Sequence, residues 1–379
     1  MDFQLSEEQT LIQDMAKNFA ATELAPYSSK WDEEKFLDRD VFTKAAELGF
    51  LGIYTSEEHG GTAMSRLDSA LVFEQLSAGD VSHTAMMTIH NMATWMIDRY
   101  GDEAVRAKYV PRLTAGELIA SYCLTEPGAG SDAASLTTKA VREGDEYVLN
   151  GTKTFISGAG WSDIYVVMAR TSDDGARGVP TFVIEKGTDG LSFGTTEKKM
   201  GWNAQPTAQV IMEDCRIPAG NRIGAEGDGF KFAMSGLDGG RINIGACSLG
   251  GAQKALDATL QYTKERSQFG KAISDFQNTQ FMLADMATEL EASRMMIYRA
   301  ADMLDKKLPN AGAACAMAKR FSTDMCSKIA NDALQLHGGY GYLSEYQIEQ
   351  IVRDLRVHQI LEGTNQIMRM IVSRSLLRQ

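Results

Sequence analysis

Helices, then strands, then helices again: the 379-residue sequence predicts an α+β chain. An N-terminal helical domain is expected at 1–118, a central antiparallel β domain at 119–229 and a C-terminal helical bundle domain at 230–379. Three observations predict this order. Apolar residues recur at helical spacing before residue 118 and again after residue 230. Four of the seven prolines (Pro127, Pro180, Pro206, Pro218) fall between those stretches, which argues against a long helix there. The runs separating those prolines are β-branched and aromatic, bounded by turn residues.

The first helix begins at Ser6-Glu7-Glu8-Gln9, where Ser6 caps and Gln9, three residues on, completes a capping box. Leu11, Met15, Ala16 and Phe19 share one face, and Pro26 ends the element or begins the next. Further helices are expected at 39–48, 66–77, 84–100 and 102–113, separated by glycine turns such as Glu58-His59-Gly60-Gly61. In the middle segment, Glu146-Tyr147-Val148-Leu149 and Thr152-Lys153-Thr154-Phe155-Ile156 flank Asn150-Gly151, the strongest short hairpin signal, and predict a type I′ turn. Residues 164–168, 181–184 and 208–212 read as further strands. The last segment carries long helical runs at 246–266, 276–306 and 311–336, whose Met and Leu stripes read as packing between helices.

Composition narrows the function. With 38 Lys+Arg against 50 Asp+Glu the net charge is −12, and the pI is near 5.0. That excludes a nucleic-acid binder working through bulk positive charge, while leaving room for a small anion held by a few local cations. Five scattered cysteines without a C-x-x-C pair fit a reducing compartment and no thiolate metal cluster. The five histidines show no H-E-x-x-H spacing, so no metal is expected. The first eight residues lack the basic start and apolar stretch of a signal peptide, and no apolar run approaches the roughly 18 residues of a membrane span. A soluble, cytoplasmic protein is the expectation.

Four motifs carry candidate chemistry. In Tyr122-Cys123-Leu124-Thr125-Glu126-Pro127-Gly128-Ala129-Gly130-Ser131-Asp132, glycines let backbone N–H groups approach a ligand and Ser131 adds a hydroxyl. Gly128 to Ala133 also satisfies G-x-G-x-x-G/A, but β-like residues follow too soon for the helix a dinucleotide fingerprint opens, and an ordinary glycine loop explains it equally well. Glu362-Gly363-Thr364-Asn365-Gln366 precedes the last helix with Thr364 as N-cap; burial among Ile360, Leu361 and Ile367 makes Glu362 a better base, while a carboxylate at a helix start needs no catalytic role. Gln335-Leu336-His337-Gly338-Gly339-Tyr340-Gly341-Tyr342 and Arg266-Ser267-Gln268-Phe269-Gly270 each end a long helix; either is explicable as structure alone.

In this order, over essentially the whole chain, these motifs resemble the acyl-CoA dehydrogenase family, whose last domain is a four-helix bundle. Gly201-Trp202-Asn203, Gly239-Gly240-Arg241-Ile242-Asn243-Ile244 and Arg356-Val357-His358-Gln359-Ile360-Leu361-Glu362-Gly363 resemble the branch that acts on isobutyryl-CoA in valine breakdown. The resemblance implies an FAD-dependent oxidation of a short branched-chain acyl-CoA to the 2,3-enoyl-CoA. Glu362 would remove the α-proton while a hydride passes to flavin N5. Some relatives carry the base on the helix before Arg241, where this chain has Gly240, so Glu362 has no local rival. The resemblance places Tyr122, Leu124, Thr125, Gly130, Ser131, Phe155, Ile156 and Ser157 around the cofactor, with Thr364 and Gln366 also reaching it. Arg266, Gln268, Phe276, Gln277 and the turn Gln335, Leu336, His337, Gly338, Gly339 would hold the FAD of a neighbouring subunit in a homotetramer. Ser131, Asp238, Arg241, Leu361 and Gly363 would meet the acyl-CoA.

Phe155, Ser157 and Leu361 depart from the commonest family pattern of Trp, Thr and Tyr, which implies a reshaped acyl pocket. Electron-transfer flavoprotein is the implied acceptor. The competing readings are 2-methylbutyryl-CoA or butyryl-CoA as substrate, an oxidase, and a non-catalytic acyl-CoA-binding or assembly protein. A nicotinamide enzyme, suggested by the glycine match alone, would carry no yellow chromophore.

Overall fold

A computed structural model describes residues 4–378, so the first three residues of the leader argument lie outside the described ones. Among the described residues six α-helices come first: α1 (Glu7–Phe19), α2 (Ser28–Glu34), α3 (Arg39–Glu47), α4 (Arg66–Gly79), α5 (Val81–Tyr100) and α6 (Glu103–Thr114). The Ser6–Gln9 capping box forms as expected. Helix α2 was not anticipated; it is short and its N-terminus has no side-chain cap to announce it. Strands β1 (Ala120–Cys123), β2 (Lys139–Glu143), β3 (Glu146–Ser157), β4 (Ile164–Met168), β5 (Thr181–Glu185), β6 (Leu191–Phe193), β7 (Thr207–Pro218) and β8 (Arg222–Ile223) follow. The last part holds α7 (Gly229–Glu265), the small strands β9 (Ser267–Gln268) and β10 (Lys271–Ala272), then α8 (Gln277–Asp305), α9 (Ala311–His337), α10 (Ile348–Arg356) and α11 (Asn365–Leu377).

Two four-stranded sheets, ordered β1-β4-β5-β8 and β2-β3-β7-β6, enclose a core of Tyr147, Tyr165, Val167, Phe182 and Val210. Within these sheets, among the described residues, the strand ladders are antiparallel except β1 with β4, which run parallel in the register Ala120↔Ile164 to Cys123↔Val167; a single parallel bridge also joins Lys139 to Arg170. The β2–β3 excursion separates those two strands, and a crossover of that length lets them run the same way.

The expected hairpin at Asn150-Gly151 does not exist. β3 is one continuous strand, and Asn150 lies in a bulge where its side chain pairs with the backbone N–H and carboxylate of Asp214 on β7, at 2.9 and 3.1 Å. A Cβ on Gly151 would meet Thr138 Oγ1 at 2.5 Å, so the glycine serves close packing rather than a turn. The chain reverses earlier, at Gly144-Asp145, with φ +64° at the glycine. Both central residues have positive φ instead at Phe269 (53°) and Gly270 (79°), the two-residue turn between β9 and β10.

Helix α7 starts at Gly229, earlier than the helical run expected from residue 246. Its glycines are contact points, not breakers. A Cβ on Gly250 would stand 2.1 Å from the Glu74 carbonyl oxygen of α4, and one on Gly245 would stand 2.1 Å from Ile297 Cδ1 of α8. At 37 residues, or about 55 Å at 1.5 Å per residue, α7 packs against α4, α5, α8 and α9. All five cysteines are buried and free. No helix among the described residues is long and apolar enough to cross a membrane.

Candidate active site

A cavity of about 280 Å³ lies where the β sheets meet α5, α7 and the segment before α11. One wall is the loop after β1: Tyr122, Leu124, Thr125, Gly130 and Ser131. The Glu126 carboxylate folds that loop by accepting hydrogen bonds from Thr137 N (2.6 Å), Thr137 Oγ1 (2.9 Å) and Thr138 N (2.9 Å). It also pairs with Lys153 Nζ at 2.7 Å, and Nζ donates to the Leu124 carbonyl at 3.2 Å. Both side chains are buried. Burial pushes the Glu126 carboxyl up, but the Lys153 charge and these hydrogen bonds outweigh it and hold the group near 2. This pair pins the loop to β3, and sequence reading did not single it out. Glycine Cβ positions at 128 and 130 face open space, so the loop backbone is accessible. The turn continues into a single three-residue helical turn, Ala133–Ser135, which leaves the dinucleotide fingerprint without its helix.

A second wall is the end of β3. Phe155 has φ 58° and is 67% exposed, so its ring projects into the opening without cover from the chain itself. Ser157 Oγ accepts from Gln205 Nε2 at 2.9 Å, and Gln205 Oε1 is buried without a hydrogen-bond partner among the described residues. Trp202, also at positive φ (54°), completes this side; its N–H donates to Asp354, and its ring meets His358 edge-on at 5.4 Å. Burial pushes the Asp354 carboxyl up to about 8 and the His358 imidazole down to about 3, so both are neutral supports near pH 7.

Glu362 closes the cavity. It sits at φ 55°, followed by Gly363 at 88°, in the turn that leads to the Thr364 cap; Thr364 Oγ1 accepts from Ile367 N at 3.2 Å. The residue is half-buried as a whole because one edge faces the cavity, yet Oε2 is buried and has no hydrogen-bond partner among the described residues. A Cβ on Gly240 of α7 would lie 2.6 Å from Oε2, so only a glycine leaves room for the carboxylate. Burial raises the Glu362 carboxyl to about 7 against the pull of the Arg241 and Lys319 cations. A desolvated carboxylate with a raised proton affinity and no partner has the chemistry a general base requires.

Arg241 reaches the Glu362 carbonyl from Nε at 3.4 Å and pairs with Asp238. The rest of the lining is mainly apolar: Ile89, Met92, Met234, Leu237, Ile244, Leu361, Ile367 and Ile371. Of these, sequence reading had named only Leu361 as a site residue, with Ile367 as a burying neighbour of Glu362. The others come from helices distant in the chain, and a lone apolar residue on a helix gives no signal of which cavity it faces.

The remaining expected residues lie elsewhere. Arg266, Gln268, Gln335, Leu336, His337, Gly338 and Gly339 line a separate concavity of about 430 Å³, where the Arg266 guanidinium stands over the Tyr340 ring. No residue is common to the linings of the two cavities. Phe276 precedes α8 and contacts Phe269 edge-on; Gln277 begins that helix. Thr364 and Gln366 face a third, shallow depression beside Asp324 and Arg369. Asp238 is absent from the lining of the main cavity and reaches it only through Arg241.

Comparison with known proteins follows the same three-part division. The acyl-CoA dehydrogenase N-terminal, middle and C-terminal domain models match residues 6–117, 121–215 and 227–377. The chain is 56% identical over 375 residues to mitochondrial isobutyryl-CoA dehydrogenase of Bos taurus, covering 99% of this chain and 90% of that protein. Butyryl-CoA dehydrogenase from Megasphaera elsdenii superposes with a TM-score of 0.97 at 36% identity, covering 100% of both chains. A chain from work described as electron transferring flavoprotein of Acidaminococcus fermentans superposes with a TM-score of 0.98 at 44% identity, again over 100% of both chains.

Proposed function

The chain belongs to the acyl-CoA dehydrogenase family, and from that premise we propose that it oxidises isobutyryl-CoA to the 2,3-enoyl-CoA with Glu362 as the base. It is an FAD-dependent oxidoreductase. The observation that carries the proposed role is the unpartnered, buried Oε2 of Glu362 on the wall of the cavity bounded by Tyr122–Ser131 and Phe155–Ser157.

The residues present suit the cofactor: an uncovered aromatic ring at Phe155, a hydroxyl at Ser157, orphaned polar atoms on Gln205 and Trp202, and a glycine loop with open backbone. When bound there, FAD supplies the acceptor for the hydride leaving the β-carbon. The protein's own part is proton removal and placement. Glu362 takes the α-proton on its carboxylate, and its raised proton affinity strengthens it as a base near neutral pH. Apolar side chains from α5, α7 and α11 exclude water from the carboxylate and enclose the acyl group. Leu361 and Trp202 would shape the space for a 2-methyl branch; Ser131, Arg241 and Gly363 would meet the thioester and CoA arm, with Asp238 orienting Arg241.

We further propose a homotetramer in which Arg266, Gln268, Phe276, Gln277 and the Gln335–Gly339 turn hold the FAD of a neighbouring copy. The separation of the two cavities and the 95% exposure of Phe269 support this arrangement. Thr364 and Gln366 would reach FAD from the same assembly. Electron-transfer flavoprotein is the proposed acceptor, and the cytoplasm the proposed location, although the relative from Bos taurus is named mitochondrial; cell fractionation decides the latter. Substrate choice is tested by anaerobic titration with isobutyryl-, 2-methylbutyryl- and butyryl-CoA while flavin absorbance is followed. Fastest bleaching by isobutyryl-CoA is expected; faster bleaching by butyryl-CoA would overturn the assignment.

A further inference from the structure

We infer that Lys319 is a positioning residue for the base, its ammonium tying the Glu362-Gly363-Thr364 turn to α9 and holding the carboxylate in the space above Gly240. The inference rests on the reading of Glu362 as the base.

Lys319 lies on α9 and its side chain is wholly buried. Nζ donates to the Gly363 carbonyl at 2.8 Å and to Asn365 Oδ1 at 3.0 Å. Asn365 is itself held by the same face of α9: its Nδ2 donates to Thr323 Oγ1 at 2.9 Å and to Asp324 Oδ1 at 2.7 Å. The start of α11 is therefore clamped at residue 365, and the peptide just after the base is clamped at residue 363. Glu362 needs that clamp because its own φ is left-handed at 55°, a conformation an L side chain seldom holds unaided.

The charge also acts on the carboxylate. The charged and titratable groups that face Glu362 are Arg241 of α7 and Lys319 of α9, with the hydroxyls of Tyr122 on β1 and Tyr54 in the loop after α3 feeling its charge. Lys319 faces Glu362, Arg241 and Asp324, and His358 lies within reach of its field. Burial lowers the Lys319 ammonium to about 8 while the Glu362 and Asp324 carboxylates favour its charged form. Near pH 7 it is therefore mostly a cation, and it favours the ionised, competent form of Glu362.

The test uses the FAD-loaded enzyme and the variants K319M, K319R and K319Q. Anaerobic flavin reduction by isobutyryl-CoA is measured from pH 5.5 to 9 (a range of about 3.5 units around the ordinary working pH), and the Glu362 carboxyl is titrated by infrared difference spectroscopy with E362Q assigning the band. K319M should move the acid limb and the carboxyl titration upward by about one pH unit, the lower end of the effect of a close opposite charge. K319R should restore both. If K319M purifies without FAD, K319Q carries the comparison, since it keeps an N–H for the Gly363 carbonyl but no charge. An acid limb unchanged in the neutral variants, or displaced equally in K319R, overturns the inference. If E362Q itself reduces at the parental rate, the reading of the base has failed and this inference falls with it; an inactive E362Q beside an unshifted K319M or K319Q defeats the inference alone.

Discussion

Gly240 on α7 and Glu362 before α11 share one space: the methyl group that Gly240 lacks would fall 2.6 Å from Glu362 Oε2. Two segments more than 100 residues apart therefore meet in one space that admits the carboxylate only because position 240 is glycine. The Glu362 carboxylate occupies that room with its neighbours Arg241 and Lys319 on adjoining helices.

Gly240→Ala should therefore separate folding from chemistry. Alanine favours a helix over glycine by about 1 kcal/mol, so α7 should persist with an unchanged circular dichroism spectrum. The carboxylate must shift by several tenths of an ångström or more, and a misplacement near 1 Å costs about 10²-fold in rate. Stopped-flow flavin reduction by isobutyryl-CoA checks the loss.

The pH profile of the free enzyme should follow Glu362. Burial places its carboxyl near 7, so the ionised fraction, and with it kcat/KM, should rise with pH through about 7 and fall about tenfold per unit well below it. An enzyme whose base kept the ordinary carboxylate value would be flat from pH 5.5 upward, about one unit above the reference range.

Lys153→Met should damage the cofactor loop from beneath. It leaves the buried Glu126 carboxylate without its cation, at a cost of about 3–5 kcal/mol. A lower unfolding temperature together with loss of FAD during gel filtration is expected. The double change with Glu126→Leu should recover part of the stability, because it removes the stranded charge.

Phe155→Gly should leave the empty protein nearly unchanged and weaken the loaded one. Phe155 holds a left-handed φ of 58° with its ring 67% exposed, so the empty chain has little to lose. FAD affinity should fall about tenfold, matching ~1.5 kcal/mol for a lost aromatic contact. Fluorescence titration of apoprotein with FAD reads the change.

Local grammar made much of this fold legible. The Ser6–Gln9 box, the Thr364 cap and the glycine-rich end of α9 are contacts among near neighbours, and each is visible in a few letters. The turn that carries Glu362 was legible as the start of a capped helix, whereas its expected role came from the family resemblance and not from the local letters. Asn150-Gly151 misled because the side-chain pairing with Asp214 and the approach of Thr138 come from distant strands. The start of α7 at Gly229 was not legible, because its glycines are accommodated by the close approach of α4 and α8, which are distant in the chain. Lys319 and Lys153 gave no sign at all. A lysine in a sequence looks like surface, and only the fold reveals that both ammonium groups are buried, Lys153 against the Leu124 carbonyl and Glu126 carboxylate and Lys319 against the Gly363 carbonyl and Asn365 amide oxygen.

Mixing FAD-loaded Glu362→Gln with isobutyryl-CoA anaerobically and timing the loss of flavin absorbance decides whether Glu362 is the base. The amide has nearly the same shape as the carboxyl and cannot accept the α-proton. FAD should stay bound while reduction slows by at least about 10²–10⁴-fold; reduction at the parental rate would rule Glu362 out.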